Sequence, residues 1–275
     1  MGRKSFVFGA AVLAAGLAVW AGQAVIKAPL PVAEAAGTNP LQPALQLAAD
    51  SADSSPVVVE LFTSQGCSSC PPADALLDEL ADQPGLLALS FHVDYWDYIG
   101  WKDPFASPAH TQRQRDYART LGLRYVYTPQ IVVDGRRDVV GSRRGAVAEA
   151  IEKEARRRND MAGRLEVRMV EDGGGKVTLS AGDAPPEGAT VYLVMFDDDH
   201  DTDVARGENR GRSIHNANVV REFRTLGRWT GEAMEFPLDF AAAQRDGRGG
   251  CAVIVQAGTT GPVLGAAILD LDETS

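Results

Sequence analysis

Apolar and polar positions follow different rhythms in the two halves of the chain. Val57-Val58-Val59-Glu60-Leu61-Phe62 is a β-branched apolar run, the mark of a strand buried on both faces. Ala73, Leu76, Leu77, Leu80 and Ala81 then recur at helical spacing, and Pro84-Gly85 stops that helix. Leu86–Val93 predicts a second buried strand. Ser107-Pro108 caps and opens a helix that runs to Leu121, with Gly122 as its stop. Gln130–Val133 and Asp138–Gly141 flank Asp134-Gly135, a strong hairpin signal. A further helix over 143–158 carries Val147, Ala150 and Ile151 on one face. Its basic tail, Arg156-Arg157-Arg158, suits the negative end of the helix dipole.

From residue 160 the pattern changes. Segments 164–170, 176–181, 190–196, 218–224, 233–240, 251–256 and 263–269 are short and β-like, with Gly, Pro and Asp clusters between them. That spacing predicts a β-rich, sandwich-like domain over 160–275, after an α/β domain over 56–159. Charge supports the boundary: residues 160–275 hold 11 Lys and Arg against 20 Asp and Glu, nearly all of the formal net charge of −10. An acidic chain without a basic face excludes ordinary nucleic-acid binding. At the N-terminus, Arg3 and Lys4 precede an uncharged, mostly apolar stretch from Phe6 to Ala24. Residues 1–35 read as a secretory signal or an uncleaved N-terminal anchor. Either places the protein outside the cytoplasm, periplasmic or secreted, with the anchor as its one link to a membrane. Residues 36–55, rich in Ala, Pro, Gln and Ser, read as a flexible linker.

Candidate chemistry sits between the first strand and its helix, at Cys67-Ser68-Ser69-Cys70. Cysteines three apart on one helical turn are neighbours, close enough for a Cys67–Cys70 disulfide. Unpaired N–H groups and the dipole at a helix N-terminus stabilise a thiolate, the reactive form of a thiol. The rival readings are a static structural disulfide and a zinc site, for which no second ligand pair stands out. Cys67, at the junction of strand and helix, is expected to be the accessible attacker. Cys70, one turn inside, is expected to be the buried partner that resolves a mixed disulfide. Thioredoxin-like folds place a Thr-Pro or Val-Pro with a cis peptide bond before the strand facing such a dithiol, and Thr128-Pro129 holds that place in the order of elements.

The resemblance extends further. Glu60–Asp74, Phe91-His92-Val93-Asp94-Tyr95-Trp96-Asp97, Gly100-Trp101-Lys102-Asp103-Pro104 and Tyr127-Thr128-Pro129-Gln130 resemble the signature of the domain-of-unknown-function 1223 family. Arg206-Gly207-Glu208-Asn209-Arg210-Gly211-Arg212 also looks like a motif of that family. The resemblance implies a secreted bacterial protein with a thioredoxin-like domain, and it supplies no substrate.

The expected fold is therefore an α/β thioredoxin-like domain followed by a mostly-β, sandwich-like domain. The expected activity is thiol–disulfide exchange through Cys67 and Cys70, aided by Thr128 and Pro129, on a protein or small-thiol partner of unknown identity. No cofactor or metal is called for. The alternatives are a soft-metal, Cu(I)-binding dithiol and a catalytically silent interaction module. Ser68 and Ser69 line the site. Asp94, Tyr95, Trp96 and Trp101 are candidate lining residues, because their loop leaves the C-terminal end of a central strand. His92 reads as a satisfied core histidine. Asp197–Asp203 reads as a solvated acidic loop, since it lacks the glycine and terminal glutamate of a calcium loop. Cys251, in an apolar strand, is expected to be a buried thiol outside any disulfide.

Overall fold

Strand β1 (Val57–Thr63) is buried along its whole length, and so is β2 (Leu86–His92), as their unbroken apolar runs predict. They pair in parallel, Val57 opposite Leu86 through Thr63 opposite His92. Helix α2 (Pro71–Ala81) connects them. Strand β3 (Gln130–Val133) pairs antiparallel with β1 on its other side. The Asp134-Gly135 turn returns as β4 (Arg137–Val140), and α4 (Arg144–Asp160) follows. The computed structural model describes residues 39–50, 55–160, 165–170, 175–238 and 248–270. The expected leader lies outside these residues.

Period-two alternation sends the side chains of β1 and β2 into two cores. Val57, Val59, Leu61, Leu86 and Ala88 face α2, α4 and a further helix, α1 (Gln42–Ala49). Val58, Phe62, Leu87, Leu89 and Phe91 face α3 (Pro108–Thr120) and strands from the second half. The 36–55 stretch is thus not a linker throughout. Leu41, Ala44 and Ala48 recur at helical spacing and are buried in the same core as the inner face of α4.

The second half departs most from expectation. It is not a separate sandwich: the described residues belong to one unit, Thr38–Ser275. Strands β7 (Ala189–Asp203), β8 (Ser213–Trp229), β10 (Gly250–Ala257) and β11 (Val263–Asp270) join β1–β4 in one eight-stranded sheet, ordered β11-β10-β7-β8-β2-β1-β3-β4. The junction is a single parallel pair, Ser90 with Val219, beside a side-chain bond from Asn218 Nδ2 to the Ala88 carbonyl of 2.9 Å. Only a local sandwich survives. Strands β5 (Val167–Val170), β6 (Lys176–Leu179) and β9 (Met234–Pro237) form a second sheet. Leu165, Val167, Val177 and Leu179 share a core with Val191, Leu193, Val253 and Val255 of the large sheet. Cys251 lies in this core, wholly buried and outside the disulfide, with Met195 and Leu269 as its ladder partners.

A buried polar network also crosses between the halves. Glu60 of β1 accepts two bonds from Arg113 of α3, Nε to Oε2 at 2.6 Å and Nη2 to Oε1 at 2.9 Å. Arg113 also donates to Gln256 of β10 at 3.1 Å. Its guanidinium lies 4.3–5.7 Å from the ring centroids of Phe91, Tyr117, Tyr192 and Phe223. Removing one member of such a pair strands the other charge without water, at about 3–5 kcal/mol. Arg113→Met is therefore expected to lower the unfolding free energy by about that amount in urea titrations. The double variant Glu60→Leu/Arg113→Met should recover most of the loss. Equal losses in both would show that the pair itself, rather than the stranded carboxylate, is what matters.

Candidate functional site

The site begins where β1 ends. After Thr63 the chain turns through Ser64, Gln65 and Gly66 into Cys67, and α2 starts at Pro71 with Cys70 as its N-cap. Prolines at the first two helical positions need no N–H partner there. Cys67 and Cys70 are joined in a disulfide, with Cα atoms 5.4 Å apart. The loop is held from below: Gln65 N donates to Asp103 Oδ2 at 2.8 Å, and Gly66 N to Ser64 Oγ at 3.0 Å. A side chain at Gly66 would meet Trp96 Cβ at 3.1 Å, so this close approach favours glycine.

Residues far apart in sequence converge on the Cys67 sulfur. Thr128 Oγ1 donates to it at 3.3 Å, and Ser69 Oγ lies 3.3 Å away. Trp96 Nε1 donates to Thr128 Oγ1 at 2.8 Å. The Thr128–Pro129 bond is cis, and a Cβ built on Gly141 would touch both Pro129 and Ala73 of α2, at 3.3 and 3.0 Å. Trp101 Nε1 donates to Gln65 Oε1 at 3.2 Å. Asp94 and Tyr95 instead fasten the loop to α3. Asp94 accepts from Thr111 at 2.6 Å, and Tyr95 donates to Gln114 at 3.1 Å. Access is the correction here. Ser68 and Ser69 are exposed, but Cys67 and Cys70 are both 0% exposed. The expected contrast between an open Cys67 and a buried Cys70 is absent.

Part of the cover comes from the second half. The Asp197–Asp203 segment is not a loop. It continues β7, pairing Asp199 with Ala217, Asp201 with His215 and Asp203 with Ser213, because a full-length β8 supplies its ladder partners. The hairpin this makes carries residues 204–212 at its tip, against the dithiol loop. Asn209, wholly buried, donates through Nδ2 to the carbonyls of Gln65 and Cys67, both at 2.9 Å. Ser68 N donates to Glu208 Oε2 at 3.3 Å. Gly207, at φ +76°, sits where a Cβ would lie 3.2 Å from Trp101 Cβ. The tip's role was not readable from local pattern; the Arg206–Arg212 resemblance was its one signal.

Beneath the disulfide lies a polar layer that sequence reasoning also missed. Asp74, four residues after Cys70 on the same face of α2, accepts from Thr63 Oγ1 at 2.6 Å. His92, opposite Thr63, is buried as expected, its Nδ1 2.8 Å from Asp103 Oδ2. Asp74 Oδ2 and His92 Nε2 have no hydrogen-bond partner among the described residues. Burial pushes the Asp74 carboxyl up to about 7, against the opposing effects of Thr63 and His92. Burial would raise Asp103 as well, but His92 and backbone N–H donors hold it below its ordinary value. Among the described residues no three His, Cys, Asp or Glu side chains converge on a metal position, and the two sulfurs are joined in a disulfide.

The profile of the family described as protein of unknown function (DUF1223) matches residues 58–256. The chain belongs to the DUF1223 family. The crystal structure of protein AGR_C_4864 from Agrobacterium tumefaciens is similar to this DUF1223 chain at 34% identity and a TM-score of 0.68, over 80% of this chain and 96% of that one. HBP35 of Porphyromonas gingivalis shares the fold at 14% identity and a TM-score of 0.52, over 80% and 76% of the two chains. No curated protein matches the chain. Every residue of the dithiol site lies inside the stretch that the DUF1223 profile covers.

Two outcomes are expected. Asp74 titrates near 7 when folded and near 3.8 when unfolded. The stability that its bound proton contributes is complete below pH 3.8 and is lost as pH rises through 7. Asp74→Asn should therefore stabilise the protein by about 2–4 kcal/mol at pH 8.5 and by little at pH 4. Urea titrations at the two pH values check this, and a gain independent of pH would contradict it. Asn209→Ala removes two hydrogen bonds worth about 1 kcal/mol each. Reduction of the native disulfide by dithiothreitol should then accelerate roughly tenfold or more. An unchanged rate would mean that the hairpin tip does not control access.

Proposed function

We propose that this chain is an exported thiol–disulfide oxidoreductase with a thioredoxin-like core. One observation carries the reading: the Cys67–Cys70 disulfide lies at a strand-to-helix turn, and the Thr128 hydroxyl donates to the Cys67 sulfur. The order β1, dithiol, α2, β2, α3, β3, β4, α4, with β1 and β2 parallel and β3 and β4 antiparallel, supports the thioredoxin-like assignment.

In the reaction, a partner thiolate attacks the Cys67 sulfur. The Cys67–Cys70 bond breaks, and Cys70 leaves as a thiolate that takes a proton from the Asp74 carboxyl one turn below. A second partner thiolate attacks its own sulfur in the mixed disulfide and releases Cys67. Two electrons pass from the partner's dithiol to the protein, and the reverse sequence reduces a partner disulfide. The partner is a protein thiol or disulfide, or a small thiol. Export rests on the Arg3–Ala24 pattern.

The burial of both sulfurs favours a second reading, a silent module whose disulfide only braces the fold. Trapping separates the two. In the oxidoreductase reading Cys70→Ser accumulates mixed disulfides, seen as reductant-sensitive bands on non-reducing gels. Cys67→Ser captures nothing and loses exchange with glutathione disulfide. Neither variant trapping anything, with a native disulfide that resists low dithiothreitol, would decide for the silent module.

A further inference from the structure

Thr128 has one hydroxyl proton and two acceptors that compete for it, the Cys67 sulfur and the Tyr95 hydroxyl oxygen. Its oxygen accepts the Trp96 indole N–H at 2.8 Å, and the Cys67 sulfur lies 3.3 Å away. An indole nitrogen only donates. Wherever Trp96 holds the oxygen, the hydroxyl proton must point elsewhere, and the sulfur stands on its donor side. Trp96 is itself fixed in place. Its Cβ packs 3.1 Å from the position a Gly66 side chain would take, and Ile99 N donates to its carbonyl at 3.1 Å. The second oxygen near Thr128 is the Tyr95 hydroxyl, whose own proton goes to Gln114 Oε1 at 3.1 Å.

We propose that Trp96 is a positioning residue that aims the Thr128 hydroxyl proton at the Cys67 sulfur and so favours its thiolate form. The assignment deepens the oxidoreductase reading and rests on it for its biological use. Donation to the charged form of a group favours that form. The Thr128 donor acts on the sulfur that carries negative charge when Cys67 attacks, or when it is released from a mixed disulfide. A phenylalanine at 96 would fill the same space without the N–H. The Thr128 hydroxyl could then turn away, and the thiolate would lose its donor while the fold kept its packing. A threonine at position 128 thus has a role beyond shape, which valine, its closest match in volume, cannot take over.

The test reads the thiol directly and needs no substrate. In reduced protein carrying Cys70→Ser, the iodoacetamide alkylation rate of Cys67 is followed against pH by mass spectrometry. Trp96→Phe should move the midpoint up by about one pH unit, a roughly tenfold slower reaction at pH 6. Thr128→Val should give the same shift, and Thr128→Ser should keep the original midpoint. The double variant Trp96→Phe/Thr128→Val should move no further than either single variant. Full additivity, no shift in Trp96→Phe, or the same shift in Tyr95→Phe would each overturn the proposal. Should Trp96→Phe fail to fold, the native Trp96 indole proton resonance provides the measurement. It should follow the Cys67 titration and lose that dependence in Thr128→Val; a flat response overturns the proposal. Glutathione-disulfide turnover of the unsubstituted protein is measured alongside. Absent turnover with intact coupling counts against the oxidoreductase reading alone, and turnover without coupling counts against the Trp96 assignment alone.

Discussion

The ion pair between Glu60 and Arg113 is the constraint around which the molecule is arranged. A carboxylate in the middle of a strand buried on both faces is tolerable only if a cation reaches it with good geometry. Arg113 does so from α3 with two bonds, and its guanidinium lies within 5.7 Å of four aromatic ring centroids. That requirement fixes α3 over β1. It also demands Gln256 of β10, which donates to the Tyr117 hydroxyl at 2.8 Å and accepts from Arg113. Once α3 is fixed, so is the aromatic loop, because Thr111 and Gln114 hold Asp94 and Tyr95. Trp96 then reaches Thr128. The geometry at the sulfur is thus inherited, step by step, from a charge three residues before the end of β1.

What could be read in the sequence was local. Strands β1 and β2 announced themselves as apolar runs because both of their faces are covered, and α2 showed its stripe because only one face is. The dithiol and Thr128-Pro129 were legible because their chemistry depends on spacing and order along the chain. Joining of the halves was not legible. A strand that pairs with a neighbour in its own half and one that pairs with β2 have the same alternation, and nothing in Val219 says that Ser90 is opposite. Asp197–Asp203 misled for a related reason. Polarity described Asp198, Asp199, Asp201 and Asp203 as exposed, but Asp197 is buried against His200, Arg221 and Arg248, and the backbone ladder with Ser213–Ala217 decided the conformation. The helix at Gln42–Ala49 was missed because the Ala, Pro, Gln and Ser of its surroundings read as a linker, although alanine is the best helix former and Pro43 is tolerated in the first turn.

The polar layer around the disulfide repeats the lesson at the scale of single atoms. In the sequence Asp74 lies on a predicted helix, His92 in a predicted buried strand as a satisfied core histidine, and Asp103 in a loop; the structure buries His92 but leaves its Nε2 without a hydrogen-bond partner among the described residues. Folding stacks the three against Thr63 and Gln65, where burial raises the Asp74 carboxyl while His92 and backbone donors hold Asp103 low. Asn209 reaches the same loop from more than 140 residues away in sequence. Such contacts reach the dithiol from outside the C-x-x-C stretch, so the residues between the cysteines are only part of its environment.

The parallel pairing of β2 with β8 also shapes how the chain must come together in time. Ser90 and Val219 are separated by about 130 residues. A ribosome adding roughly 5–20 residues per second takes about 6–26 s to supply the second after the first. Throughout that interval β2 offers an apolar strand with one unfilled hydrogen-bonding edge, the template on which strands of neighbouring chains pair and aggregate. Non-local pairing of this kind also slows folding, because loop-closure entropy is lost before the contacts form. A chain that begins to fold before β8 is available therefore presents this edge to its copies, a hazard that follows from the strand order itself.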